Sequence, residues 1–585
     1  MKDQIRRKAK EFLIWGTLFY LSFACTGAIN PTLASAVQRS VPVSPAAAVS
    51  SARVAALPQN SANTSFPETS GYIVRTVCSS GCNYRNAQSA VNGVHSDGGD
   101  INGEIIKLAS GATFNESLTF PVYSMAPGKW IIVTTDTSSS NLPASGARVN
   151  PSYSPVLAKI VTVTPNTPAV QIGTRAHHYW FVGLEIAVGP SMKVFQAGAF
   201  QIGTAEKSVA DLPHDIVIDR SYIHGNASGN MRRGVKADGI SVSVINSWIS
   251  NFQDDGSDTQ AIWAYNTPGP ILISNNELQA SGENVMFGGN DPDIVNVVPS
   301  DITITGNHFD KPLSWFNKSP SYAGMRWAVK NLFEIKNAQR VLIQGNVFEH
   351  NWEAAQAGFA MGFSPRNQNG KCPWCATSDI TIANNIIRHS SSGIAIVGAD
   401  TEGGPSLPSQ RVYIHDNLFY DINNTNWGGD GRFLQIVNPG APAHDIIIDH
   451  NTVFHTGNIL TFDGKPGSTT SNFVFTNNIL AHNVYGVGNM NYWVPGAIFT
   501  NNAIENILPS GVTPGNFPKG NFFPGAWTDI RFVDSVNCPA GAVSGNNIGI
   551  CALAANSPYI ASGTDGRPLG ADIKAISAAT AGVVP

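Results

Sequence analysis

One eight-residue phrase limits what this chain can fold into more than any other feature. Ile-Thr-Ile-Thr-Gly-Asn-His-Phe at 302–309 returns as ILISNNEL (271–278), VLIQGNVF (341–348), ITIANNII (380–387), VYIHDNLF (412–419), IIIDHNTV (446–453), FVFTNNIL (473–480) and AIFTNNAI (497–504). Two looser copies, IVIDRSYI (216–223) and VSVINSWI (242–249), carry serine where the others carry asparagine. The slot runs Ser221, Ser247, Asn276, Asn307, Asn346, Asn385, Asn417, Asn451, Asn478, Asn502, at intervals of 26, 29, 31, 39, 39, 32, 34, 27 and 24 residues. One such unit cannot bury its own apolar face. Units of this length gain a core by stacking on their neighbours, with insertions of unequal size leaving as loops.

Apolar residues alternate within each copy, the signature of a strand. A second strand follows after a turn, at 261–265, 285–287, 332–335, 359–363, 394–397, 433–437 and 459–462. Two or three short strands per repeat predict an all-β chain, a parallel β-helix of roughly ten or more coils. The residue two places after the slot is always apolar and so points inward. An asparagine column beside it is expected to stack amide on amide inside the solenoid, each side chain donating to the next. Residues 83–94, with Ala87, Val91 and Val94 on one face, predict a short helix that covers the open N-terminal end.

The ends and the cysteines bear on location. Lys2, Arg6, Arg7, Lys8 and Lys10 precede an apolar run from Phe12 to Ala24, and Ala34-Ser35-Ala36 suits cleavage, so 1–36 reads as a signal peptide. A lipoprotein anchor at Cys25 is the weaker reading, because the leucine of the required box stands one place too early. Residues 37–70, rich in Ala, Ser and Pro, read as a disordered linker, 71–573 as the β-helix domain and 574–585 as a C-terminal tail. Without Cys25 the cysteines form three local pairs, Cys78/Cys82, Cys372/Cys375 and Cys538/Cys551, expected as disulfides of an exported protein, secreted or at the cell surface. Removing 1–36 leaves 31 basic against 38 acidic residues, a net −7, with no basic run. That excludes nucleic acid as a partner, and no stretch of the mature chain is suited to span a membrane. A monomer is expected.

Chemistry is expected where the spacing is widest. The two 39-residue repeats insert 311–330, with Trp315, Arg326 and Trp327, and 364–378, with the Cys372/Cys375 pair. Glu283 and Lys330 precede the second strand in neighbouring repeats, Glu334 and Lys336 share one face of it, opposite Phe333 and Ile335, and Arg366 and Asn367 lie in the turn beyond it. Asp254, Asp255, Asp258 and Asp291 offer hard oxygen ligands for Ca²⁺, the one cofactor the sequence suggests. Four places after the slot stand His350, His389, His455 and His482, expected to be stacked residues at a turn, although His350 also offers itself as a base.

The repeat, the N-terminal helix and the tail resemble the pectate-lyase-like superfamily of right-handed parallel β-helix proteins. Phrases such as Glu283-Asn-Val-Met-Phe-Gly-Gly289 and Lys330-Asn-Leu-Phe-Glu-Ile-Lys336 are similar to secreted bacterial members of unassigned activity. The resemblance implies a right-handed solenoid and a polysaccharide partner. It does not name the reaction. The Trp-x-Asp-His and Arg-x-Pro-x-x-Arg motifs of pectate lyases and the Gly-His-Gly of polygalacturonases are absent. The reading that follows is a lyase acting on an acidic polysaccharide. Lys330 or His350 would take the proton and Arg366 would neutralise the uronate, supported by Glu283 and Glu334. Trp315, Arg326, Trp327, Lys336 and Asn367 would bind the sugar. The alternatives are a non-catalytic surface β-helix that binds glycan or serves as a scaffold, and a glycoside hydrolase built on the paired Asp254 and Asp255.

Overall fold

A computed structural model describes residues 54–94, 99–488, 490–507, 511–543 and 547–585. The expected signal peptide and the first part of the expected linker lie outside these residues. The chain winds as a right-handed parallel β-helix with three parallel sheets of 14, 13 and 11 strands, here called first, second and third in the order one coil visits them. In one coil the strand Ser300–Thr305 belongs to the first sheet, His308–Asp310 to the second and Phe333–Ile335 to the third. Register between coils is regular, with Ile271, Ile302, Val341, Ile380 and Val412 aligned in sequence on the first sheet.

The repeated phrase is therefore two strands and the corner between them. The residue just before the slot takes a left-handed φ in coil after coil: Asn275 (54°), Gly306 (64°), Gly345 (64°), Asn384 (55°), Asp416 (50°) and Asn477 (61°). Glycine, asparagine and aspartate tolerate that region best, which explains the composition of the phrase at this position. Past the corner, the slot asparagines form the expected ladder. Asn276 Nδ2 donates to Asn307 Oδ1 (2.9 Å), Asn307 to Asn346 (3.0 Å), Asn346 to Asn385 (3.1 Å), and so on to Asn502, which donates to Asn521. The residues two places on, Phe309, Phe348, Ile387 and Phe419 among them, are fully buried in the core that runs the length of the solenoid. At its N-terminal end packs the helix Ala87–Gly93, N-capped by Asn86 and burying Ala87, Ala90 and Val91.

Both ends of the described chain turn back along the rod. Residues 56–66, expected to belong to a disordered linker, run across the outside of the first sheet. The Ala56 amide donates to Asp379, the Gln59 amide to Asp301 and the Asn63 amide to Ser241, and Phe66 packs edge-on against Trp180. The C-terminal residues retrace the second sheet. Ile530, Phe532, Tyr559, Leu569 and Ile576 bury Val347, Ile386, Leu418 and Tyr420, and Arg148 donates to the carbonyl of Val583 (2.7 Å). The expected tail at 574–585 is thus part of the packed structure, beginning with the helix Ile573–Ala579. Side-chain acceptors and apolar side chains on these sheet faces found partners that no local periodicity announces. On the third sheet the outward Met286 and Glu334 are buried as well, beside loops of the neighbouring coils that carry Gln356, Arg366 and Asn369. No helix of the described chain is long and apolar enough to cross a membrane.

Candidate functional site

The outer face of the third sheet displays one row of side chains, aligned Gln201, Lys236, Trp263, Met286, Glu334 and Gly362 from coil to coil. Loops rise beside it where the repeats are longest. They enclose a cavity of about 470 Å³ lined by Asp258, Asn290, Lys330, Glu334, Lys336, Gln356, Ser364, Arg366, Gln368, Asn369 and Glu402. Three cations and three carboxylates thus face one space.

Its centre is an ion-pair network. Lys330 pairs with Asp258 and lies 3.8 Å from Glu283, while Lys336 lies 3.4 Å from Glu334. Arg366 pairs with Asp400 (2.7 Å) and Glu402 (3.0 Å), contributed by the next coil. Glu283 sits behind Lys330 with no exposed surface and accepts a hydrogen bond from Gln260 Nε2 (2.7 Å). Burial, followed by the nearby Asp258 charge, pushes its carboxyl up to about 7. Burial disfavours the charge of Lys330 as well, but Glu283 and Asp258 outweigh it and raise the ammonium above its usual range. Asp258 is held down to about 2, the Lys330 and Lys336 charges overcoming its desolvation. Glu334 contributes an oxygen, Oε2, that has no hydrogen-bond partner.

The remaining sequence-predicted residues divide sharply. His350 is outside the cavity: its Nδ1 lies 2.7 Å from Asp310, its ring stacks on His389 at 5.5 Å, and its φ of 59° places it at a turn. It is a stacked turn residue and stands apart from the lysines. Trp315 and Trp327 are buried with Phe316, Val329 and Trp352 in an aromatic cluster, so the 311–330 insertion spends them on its own core, not on a sugar platform. Arg326 is exposed on that insertion, away from the cavity lining. Asn367 is buried, accepts from the Cys372 amide (2.7 Å) and donates to the Pro405 carbonyl (3.1 Å), so it shapes the loop.

The four aspartates do not converge. Asp254 accepts from the amides of Gly256 and Ser257, Asp255 from Asn230, and Asp291 from the amides of Asn369 and Lys371, while Asp258 belongs to Lys330. Among the described residues, the groups with metal-ligand spacing include none of them. A Ca²⁺ site from this set does not fit, because each carboxylate already has a nearer task. The three disulfides form as expected, Cys78–Cys82, Cys372–Cys375 and Cys538–Cys551.

Two features escaped the sequence reading. Asp400 and Glu402 occupy, one coil on, the turn that holds Arg366, a column that the repeat alignment already contained. Trp374, inside the disulfide loop, stands half-buried in a second cavity of about 330 Å³ with Lys207, Asp293 and Lys371. Its Nε1 donates to the Val297 carbonyl (3.0 Å), and this cavity shares Asn290 and Asn369 with the first.

No protein-family model matches the chain, and no curated protein matches it in sequence. Among solved structures it is similar to an alginate lyase from Paenibacillus sp. str. FPU-7 (12% identity, 77% of this chain and 98% of that one, TM-score 0.28). It is also similar to the PL6 family alginate lyase AlyGC (11%, 88% and 59%, TM-score 0.43) and to pectate lyase Pel9A (14%, 86% and 97%, TM-score 0.32).

Proposed function

We propose that this is an exported carbohydrate-active protein that binds an anionic polysaccharide along the third sheet and cleaves it by β-elimination in the Lys330–Arg366 cavity. The observation that carries the reading is the cavity itself: Lys330, Lys336 and Arg366 face it together with Glu334, whose Oε2 has no partner. β-Elimination breaks the C–H bond α to a uronate carboxylate, forms a C=C bond and expels the glycosidic oxygen. It needs a base and a positive charge on the carboxylate as the enolate forms.

The role first given to Lys330 changes. Its two carboxylate partners keep its proton on, which makes it a poor base and a good neutraliser of a uronate, alongside Lys336 and Arg366. Glu334 is then the group placed to accept the proton. Glu283, closed off from the cavity, holds Lys330 in position. Trp374 and Lys371 extend the groove for a neighbouring sugar. Export and an extracellular location fit the three disulfides.

A second reading, a binding or scaffold β-helix without catalysis, is favoured by one observation: all three cations already have carboxylate partners. The deciding experiment incubates the purified protein with a panel of uronate polysaccharides, with and without chelator, and follows the ultraviolet absorbance of unsaturated ends. Chelator-insensitive product supports the proposal. Retained binding with no product on any acidic or neutral glycan establishes the second reading.

A further inference from the structure

The first sheet carries a column of left-handed residues near the start of its strands. Most of this column pairs opposite charges or hydrogen-bonding groups across coils. Asp301 (φ 55°) meets Arg340 (49°) at 2.6 Å, Asp379 (57°) meets Arg411 (51°) at 2.6 Å, and Asp445 (57°) meets Asn472 (55°) at 2.7 Å. At His178 (59°) and Asp215 (54°) the same backbone solution places a histidine next to a carboxylate, and two more histidines precede them.

His177 and His214 are register partners on adjacent coils, with rings stacked at 4.6 Å and 11°. The left-handed turn at His178 brings its Nδ1 to 2.8 Å from that of His177, and His214 Nδ1 lies 2.8 Å from Asp215 Oδ2. One ligand atom each from His178, His214 and Asp215 lies within 4.8 Å of the others, and all three residues are partly exposed. At Asp301 and Asp379 an arginine answers the aspartate. Here imidazoles stand in that place, and the 2.8 Å between the two Nδ1 atoms requires that only one of them carry a proton.

We propose that His178, His214 and Asp215 form a binding site for a borderline divalent metal ion, Zn²⁺ in the first instance, with His177 beside it as a fourth nitrogen donor. Two imidazoles and a carboxylate, with one position left for water or His177, match the ligand set and number that Zn²⁺ prefers, whereas Ca²⁺ and Mg²⁺ prefer oxygen. Such ligands bind as neutral imidazoles. The site is on the first sheet, not the third. It lies between the points where Asn63 meets Ser241 and Phe66 meets Trp180, so a bound ion would clamp two coils beneath the N-terminal strap. The inference is independent of the polysaccharide reading.

The test uses the full exported chain, stripped with chelator and titrated with ZnCl₂ by calorimetry, and with Co²⁺ followed by its visible absorption. The expected result is one equivalent bound, a raised Tm, and the absorption of a four-coordinate nitrogen–oxygen site. His178→Asn, which tolerates the left-handed φ, and Asp215→Asn are expected to weaken binding at least tenfold while melting as the unliganded parent does. Absence of stoichiometric binding, or binding unchanged in both variants, overturns the proposal.

Discussion

Lys330 Nζ lies 3.8 Å from Glu283 Oε1, and Glu283 has no exposed surface. An ammonium at the edge of the cavity is thus seated on a carboxylate that the solvent never reaches. The consequence is a pH dependence with a definite sign. Glu283 is raised from 4.5 to about 7, so the folded state binds more protons than the unfolded state between those values, and stability falls as pH rises through that window. Glu283→Gln keeps the hydrogen-bonding shape and removes the charge. It is expected to gain about 1–2 kcal/mol at pH 8 and nothing at pH 4, read as the difference between the two thermal melts.

Replacing Glu334 with Gln is expected to lower the rate of uronate cleavage about 10²–10⁴-fold with KM little changed, the range for loss of a positioned base. Lys330→Ala is expected to lower both cleavage and stability, because it leaves Glu283 and Asp258 without their cation. Equal product formation by the Glu334 variant and the parent would remove the role assigned to that side chain.

The tryptophans separate core from groove. Trp327→Ala opens the buried cluster with Trp315, Phe316 and Trp352 and is expected to cost about 3–5 kcal/mol, with binding by the folded fraction unaltered. Trp374→Ala touches a half-buried ring in the second cavity. Its expected signature is the reverse, a Tm within a few degrees of the parent and polysaccharide affinity about three- to tenfold weaker.

The asparagine ladder is testable one rung at a time. Asn307 Oδ1 accepts from both the amide and the side chain of Asn276, and its Nδ2 donates to Asn346. Asn307→Ala strands those groups in a dry interior and is expected to cost about 2–4 kcal/mol, seen as a lower urea midpoint at constant m. Asn307→Ser, the residue the chain itself uses at Ser221 and Ser247, is expected to cost less.

A second pH dependence comes from His308, buried on the second sheet between Glu277 (2.7 Å) and Glu349 (2.8 Å), with Arg148 and Arg388 pairing the same two carboxylates and Asp310 near. Burial opposes its charge, but Glu277 and Glu349 more than compensate and push it up to about 10. The stability it contributes is fully present below pH 6.5 and is lost as pH rises towards 10. His308→Gln is expected to flatten the alkaline limb of a pH–stability curve.

Much of this was legible in the chain order. The spacing of Asn276, Asn307, Asn346 and Asn385 gave the coils, the ladder and the parallel sheets, and the widest intervals marked the stretch that rises over the groove. Parity along Phe333–Glu334–Ile335–Lys336 put Glu334 and Lys336 outside. Less legible was anything set by contact between distant segments. Trp315 and Trp327 look like exposed rings in a polar insertion until Trp352, from the next coil, covers them. The four aspartates look like one ligand set until each is seen bound to a different amide or cation.

The sequence by itself determined the solenoid, because a repeat whose apolar face closes only against its own neighbours has one way to bury it, and because a slot asparagine inside that stack must find its partner in the next coil. Only the tertiary structure decided which faces the two ends of the chain would cover. Residues 56–66 cover the first sheet and residues 530–583 the second through contacts 50 to more than 400 positions apart, which carry no period to read. At the third sheet loops of successive coils meet instead, and there Lys330, brought against Asp258 and Glu283 from two other coils, acquires its charge state chiefly from residues distant in sequence.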